Sequence, residues 1–241
     1  MNPHSKSTTL RYSALISGIA IVTMTVAAVM ATEVTIGRLV VENDATVTLK
    51  NILTYKTTFN VGVLSWLIIL ISDVFAAWGL YIFLKPVSQN LSLLLAWFRL
   101  VYVAMLAVSI FNLVYVHLLI HQPGITSVSS TGPQSEKVMF YLNAFETMFS
   151  ISLIVFSIHI LLLGYLSLKS AYIPKIFGIV LFLAFAGYSI TNISKLVFPG
   201  LNDIIQIIEW IFFIPMLSEV ALGIWLMIIG LRKKDITTCN E

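Results

Sequence analysis

FNVGVLSWLIILISDVFAAWGLYIFL, residues 59–84, decides the fold: 26 residues with a single charge, Asp73. At a rise of about 1.5 Å per residue such a helix is about 39 Å long, enough to cross a hydrocarbon core of about 30 Å. Five further runs of this kind lie at about 12–32, 91–120, 138–168, 174–198 and 206–231. Alternation of polar and apolar residues over segments of about ten, the mark of a membrane barrel, is absent. The expectation is an all-α, polytopic membrane bundle of six transmembrane helices, forming one integral domain over 1–241. The composition agrees, with 59% hydrophobic residues and 25 formal charges in 241 residues. It excludes a secreted disulfide scaffold, a nucleic-acid binder and a separate catalytic domain. One cysteine, Cys239, allows no intrachain disulfide and no cysteine metal cage.

The connections are read next. Residues 33–58 carry six charges, Glu33, Arg38, Glu42, Asp44, Lys50 and Lys56. Within them, Asp44 to Tyr55 reads as a short amphipathic helix, with Val47, Leu49, Ile52 and Leu53 on the interface and Lys50 and Lys56 facing water. A solvated helix resting on the bundle is the simpler reading; a functional lid is the other. Gln122 to Glu136, rich in Ser, Thr, Gly and Pro, reads as a mobile loop. The turns at 85–91 and 169–174 force antiparallel hairpins. Trp78-Gly79-Leu80-Tyr81 before Lys85 and Leu163-Gly164-Tyr165 before Lys169 form a weak internal echo, which would be a parallel repeat.

Basic residues set the orientation. With a cytoplasmic N-terminus the inner side collects Lys6, Arg11, Lys85, Lys169, Lys175, Arg232, Lys233 and Lys234, against Arg38, Lys50, Lys56, Lys137 and Lys195 outside. Three of the outer five fall in one long connection, so both termini are placed inside. The first apolar run exceeds the 7 to 15 residues of a signal-peptide core and is read as a retained helix. The N-x-S matches at Asn90 and Asn192 fall in an inner turn and inside a span, and carry no weight as glycosylation sites.

Function has to reside in residues that hydropathy alone would reject: Asp73, Arg99, Glu146, His159 and Glu219. A charge facing lipid at mid-membrane costs about 2.5 to 3.5 kcal/mol or more, so all five are expected to face the interior. Asp73 and Glu219 lie near the middles of the second and sixth spans. Arg99 and His159 each lie about 9 Å toward the cytoplasm from the middles of theirs, and Glu146 about as far toward the outside. The first four can therefore meet. In the fourth span Asn143, Glu146, Ser150, Ser157 and Gly164 share one stripe and Ser152 and His159 another; a helix polar on two sides is surrounded by protein. Glu219, Gly223 and Gly230 share a face, Asp73 is flanked by Ala76 and Ala77, and Arg99 shares its face with Tyr102, Leu106 and His117.

Three carboxylates oppose one permanent cation and a histidine that desolvation keeps neutral. Either a carboxyl group holds a proton, or a cation or cationic ligand occupies the site. The expectation is that Arg99 pairs with Asp73 or Glu219 and that the unpaired acid is the working group; a fixed ion pair that merely orders the bundle is the alternative. His117 and His121, four apart, have ligand-competent spacing but no third ligand, and read as interface histidines rather than a metal or haem site. No cofactor motif is present, and G-x-S-x-G, H-E-x-x-H, P-loop and G-x-G-x-x-G patterns are all missing. Ser152 and His159 stand about 10 Å apart along one helix face, too far for a nucleophile–base pair. Trp66, Trp78, Trp97, Trp210 and Trp225 read as span and interface anchors.

Phe156-Ser-Ile-His-Ile-Leu-Leu-Leu-Gly-Tyr165, Ser170-Ala-Tyr-Ile-Pro-Lys-Ile-Phe-Gly178 and Ala186-Gly-Tyr188 form the most recognisable portion of the chain. With Ser72-Asp73-Val-Phe, Leu80-Tyr81, Leu84-Lys85-Pro86-Val87 and Phe98-Arg99-Leu100-Val101, they resemble domain of unknown function 4386 over nearly the whole length. The resemblance implies a bacterial cytoplasmic-membrane protein of about six helices, with no activity to inherit. It marks Asp73, Arg99 and His159 as family-pattern positions, whereas Glu146 and Glu219 rest on the physical argument. The combined expectation is a polar interior that binds a small solute, cation or proton without covalent chemistry, as a transporter or sensor. Asp73 and Glu219 would accept the proton or cation, Arg99 would supply counter-charge and His159 a hydrogen-bond relay; Tyr102, Ser152, Ser157 and Tyr188 support them. A lipid-acting membrane enzyme with His159 as base, and an accessory or immunity protein working through a membrane partner, are the other classes. The expected partners are the lipid bilayer and that small ligand; a homo-oligomer is compatible, and no nucleic acid is expected.

Overall fold

A computed structural model describes residues 3–122, 132–198 and 200–232. Among the described residues six helical spans are long and apolar enough to cross a membrane, Thr8–Leu39, Lys56–Leu84, Gln89–Ile120, Gly132–Lys169, Lys175–Val197 and Asp203–Leu231. No strand occurs among the described residues. The first span is α1 (Pro3–Val29), a π-helical stretch Met30–Ile36 and a last turn Gly37–Leu39. After it come α2 (Ala45–Thr54), α3 (Lys56–Leu84), α4 (Gln89–Ile120), α5 (Gly132–Lys169), α6 (Lys175–Val197), α7 (Asn202–Met216) and α8 (Ser218–Leu231). α5 begins at Gly132, so Gly132 to Glu136 are helical rather than loop. Residues 123–131, the rest of the expected mobile loop, lie outside the described residues.

The chain divides into two compact units, residues 1–23, 71–103 and 150–241 in one and 24–70 and 104–149 in the other. In the first unit, small residues set how closely helices approach. A Cβ added to Gly18 on α1 would stand 2.5 Å from the Gly223 carbonyl oxygen on α8, so these two backbones touch and only glycine fits. Gly164 on α5 meets Gly178 on α6 in the same way, its added Cβ 3.2 Å from the Gly178 oxygen. Ala76 and Ala77 of α3 are fully buried. These contacts hold the Glu219 face of α8 and the Asp73 face of α3 toward protein.

The sixth span is interrupted. Pro215 lacks an N–H for the helix ladder, and Leu217 (ψ −4°) leaves the helical value of about −42°. α8 restarts at Ser218, which places Glu219 in its first turn, at the positive end of a helix dipole.

The second unit holds the amphipathic helix α2 as expected. Asp44 caps it by accepting from the Val47 N–H at 2.9 Å. Leu49 and Ile52 are buried and Lys50 is exposed. Asn51 donates to the Leu39 carbonyl (3.2 Å) and the Val41 N–H donates to Thr48 Oγ1 (2.9 Å), tying α2 to the end of the first span. Lys56 is half-buried rather than facing water, because its ammonium donates to the Ile120 carbonyl at 3.0 Å. Trp66 is not an interface anchor: it is 3% exposed, with Phe145 and Phe149 edge-on at 5.0 Å each. Trp78, Trp97 and Trp210 are exposed, as anchors would be.

Candidate functional site

Four of the five costly side chains gather inside the first unit. Arg99 from α4 is wholly buried and lies between two carboxylates. Its Nη2 is 2.6 Å and its Nε 2.9 Å from Asp73 Oδ1 on α3. Its Nη1 donates to Glu219 Oε1 on α8 at 2.5 Å and to His159 Nε2 on α5 at 2.9 Å. The sequence expectation of one paired acid and one free acid is corrected: both acids pair. The guanidinium is a planar fork with five N–H groups, so one arginine can serve two carboxylates from different helices at once.

His159 has its tautomer set by its neighbours. Nε2 faces a guanidinium, which only donates, so Nε2 must accept. Nδ1 lies 3.0 Å from the Leu95 carbonyl oxygen, which only accepts, so Nδ1 carries the hydrogen. The ring is the neutral Nδ1–H form, joining α5 to α4 through both nitrogens.

Around the arginine is an aromatic wall whose central ring, Phe156, sequence reasoning missed. Phe156 lies under the guanidinium at 5.6 Å from its central carbon to the ring centre. Tyr102 (4.8 Å), His159 (5.5 Å) and Tyr188 (5.5 Å) pack on the same ring. Phe156 lies three residues before His159, one helical turn away, and that spacing is the signal that could have found it. Of the other supporting positions, Ser157 is buried and accepts from the Ser189 hydroxyl at 2.9 Å while donating to the Ile154 carbonyl. Ser152 is fully buried as well.

Two features remain unbalanced. Asp73 Oδ2 is buried without a hydrogen-bond partner, and so is the Ser218 hydroxyl beside Glu219. With both acids ionised, the cluster carries two negative charges and one positive. Such an excess in a closed interior is expensive unless something neutralises it.

Glu146 does not join them. It belongs to the second unit and is exposed on α5, with Asn143 beside it also exposed. It stands 13 residues before His159 on the same helix, about 20 Å along its axis, too far to reach the cluster. His117 and His121 are also in the second unit, with ring centres 4.4 Å apart. No group of three or more His, Cys, Asp or Glu capable of holding a metal occurs among the described residues.

A family profile described as "Domain of unknown function (DUF4386)" matches residues 16–230. The chain is a DUF4386 protein. An uncharacterized protein of Archaeoglobus fulgidus is 32% identical to it over 171 residues, 71% of this chain and 85% of that one. The resemblance pointed to bacteria, but this relative is archaeal, so DUF4386-like sequences are not confined to them. No solved structure matches. The match spans all four cluster residues of this DUF4386 chain, Asp73, Arg99, His159 and Glu219.

Proposed function

We propose that this multi-pass membrane protein binds a proton, or a small cation or solute in its place, at the Asp73–Arg99–Glu219–His159 cluster, and that it works as a transporter or sensor without covalent chemistry. The carrying observation is the charge count: two buried acids share one guanidinium, the histidine is neutral, and Asp73 Oδ2 is buried and unpartnered. One proton on Asp73 or Glu219 brings the cluster to neutrality with the least volume. The interrupted sixth span supports the same reading, since broken helices that end at a buried charged group recur where membrane proteins bind and release ligands. His159 is then a positioning relay. Both of its nitrogens are engaged, which favours this reading over a lipid-acting enzyme with His159 as its base.

The membrane proposed is the cytoplasmic one with both termini inside, on the strength of Lys85, Lys169, Lys175 and Arg232 in the inner connections. A single integral domain is proposed as well, because α1, α3, α4 and α5 each run continuously through residues of both compact units.

The test uses the purified chain in lipid vesicles. Infrared spectroscopy should show the C=O band of a buried protonated carboxylic acid, lost in Asp73→Asn or in Glu219→Gln, and an imposed pH gradient should drive a dye-reported flux that both variants abolish. Should neither variant change the band, the flux or the stability, the cluster is a fixed ion network and the proposal fails.

A further inference from the structure

The carboxyl end of α4 carries an arrangement that the proton site does not use. His121 N–H bonds back to the Leu118 carbonyl (3.3 Å), which releases the His117 carbonyl from the helix ladder. The His121 ring takes that carbonyl, Nδ1 donating to His117 O at 2.8 Å. The His117 ring is fixed in a similar way, its Nδ1 2.8 Å from Asn60 Oδ1 on α3. A carbonyl oxygen only accepts, so His121 Nδ1 carries its hydrogen; an amide oxygen on His117 Nδ1 requires the same there. Both imidazoles therefore present Nε2 lone pairs, from rings 4.4 Å apart and tilted by 37° on adjacent turns. His117 is half-buried and His121 exposed, so the pair sits at the surface of its unit rather than inside it.

We infer that His117 and His121 form a two-imidazole site for a late divalent transition metal, Zn2+, Cu2+ or Ni2+, with water completing the coordination. Imidazole nitrogen suits these ions and not Mg2+ or Ca2+. Metal-bound histidines characteristically donate their other N–H to an oxygen, which orients the ring and raises the basicity of the ligating nitrogen. Here Asn60 and the His117 carbonyl are those acceptors, in place before any metal arrives. Among the charged groups at this helix end are the Lys56 ammonium, held on the Ile120 carbonyl, and Glu136 and Lys137, which line a pocket with Leu119; two imidazoles alone make the site weaker than a closed three-ligand cage. A metal on His117 Nε2 also makes its Nδ1–H a stronger donor to Asn60, so binding tightens the link between α3 and α4.

The experiment is a Co2+ and Zn2+ titration of the untagged, detergent-purified chain in a His4→Ala background, so that the N-terminal imidazole contributes nothing. One ion per chain is expected, with a rise in melting temperature. His117→Ala and His121→Ala should each abolish it. Asn60→Ala, which keeps both ligands, should weaken it about 10- to 100-fold; a role limited to capping the helix would leave metal affinity untouched by that change. Equal binding in His121→Ala, or none at millimolar metal, overturns the inference. Neither outcome depends on the proton site, whose residues are unchanged in all these variants.

Discussion

Both compact units bury hydroxyls that bond back within their own helix, as Ser13 and Ser17 do in the first, but the first unit also buries a cluster of charges. In the second, several hydroxyls are satisfied by a backbone carbonyl one turn back in their own helix, Ser65 donating to Val61 (2.9 Å) and Ser109 to Met105 (3.0 Å), and buried Thr48 pairs with the nearby Val41 backbone. In the first, Asp73, Arg99, His159 and Glu219 are all buried, and no one of them is satisfied by its own helix. A locally satisfied hydroxyl needs no neighbour and says nothing about how helices are arranged. A shared charge couples four helices, so loss of one member is felt by the rest. The difference separates polar residues that a helix tolerates from polar residues that a fold is organised around.

The largest effect should come from Arg99→Met. It strands two carboxylates in a closed interior, and breaking such a network from one side costs about 3 to 5 kcal/mol. The expected outcome is loss of the monodisperse peak in detergent chromatography. Combining it with Asp73→Asn and Glu219→Gln removes the stranded charge and should restore folding without restoring proton binding. A triple variant no more stable than the single would mean that the arginine acts through packing on Phe156 rather than through charge.

Next comes the helix approach that holds Glu219 in place. Gly223→Val puts a Cβ 2.6 Å from Ile21 Cγ2. Overpacking of this kind costs about 1 to 3 kcal/mol, read as a lowered melting temperature. Ser109→Ala in the second unit should cost about 1 kcal/mol or less, since donor and acceptor lie one turn apart in the same helix. A larger loss for Ser109→Ala than for Gly223→Val would erase the contrast between the units.

Much of this was legible in the sequence for a physical reason. Apolar length is read directly, so the six spans stand where hydropathy put them, with ends extended by a few residues, as at Thr8–Leu39 and Gly132–Lys169. Polar residues such as Glu33 and Arg38 continue the first span because a helix ladder does not stop at the membrane surface. The meeting of Asp73, Arg99, His159 and Glu219 was also legible, because cost and depth together leave few alternatives. Three things were not. The π-helical stretch at Met30–Ile36, where Thr35 Oγ1 donates to the Met30 carbonyl five residues back, follows no spacing rule of the sequence. The double pairing of Arg99 depends on side-chain reach rather than periodicity. The break at Leu217 had a visible cause in Pro215, a residue that hydropathy passes over.

Glu146 gives the finest test, because its misplacement isolates what periodicity lacks. A stripe tells on which side of a helix a residue lies, but not how far along the membrane normal it stands. On α5 the same stripe runs from exposed Asn143 and Glu146 to buried Ser157 and Gly164, so one stripe of one helix is exposed at its start and buried further along. Glu146→Gln should therefore shift stability by about 1 kcal/mol or less, as an exposed carboxylate does, whereas Glu219→Gln, an equally conservative change, should alter both stability and the infrared acid band. Moving the same carboxyl group inward along the stripe, as Ser157→Glu, should be far more damaging than Glu146→Gln. It would add a second uncompensated acid beside Ser189 and leave that hydroxyl without its present partner. If Ser157→Glu is tolerated as readily as Glu146→Gln, burial along α5 does not set the cost of charge there.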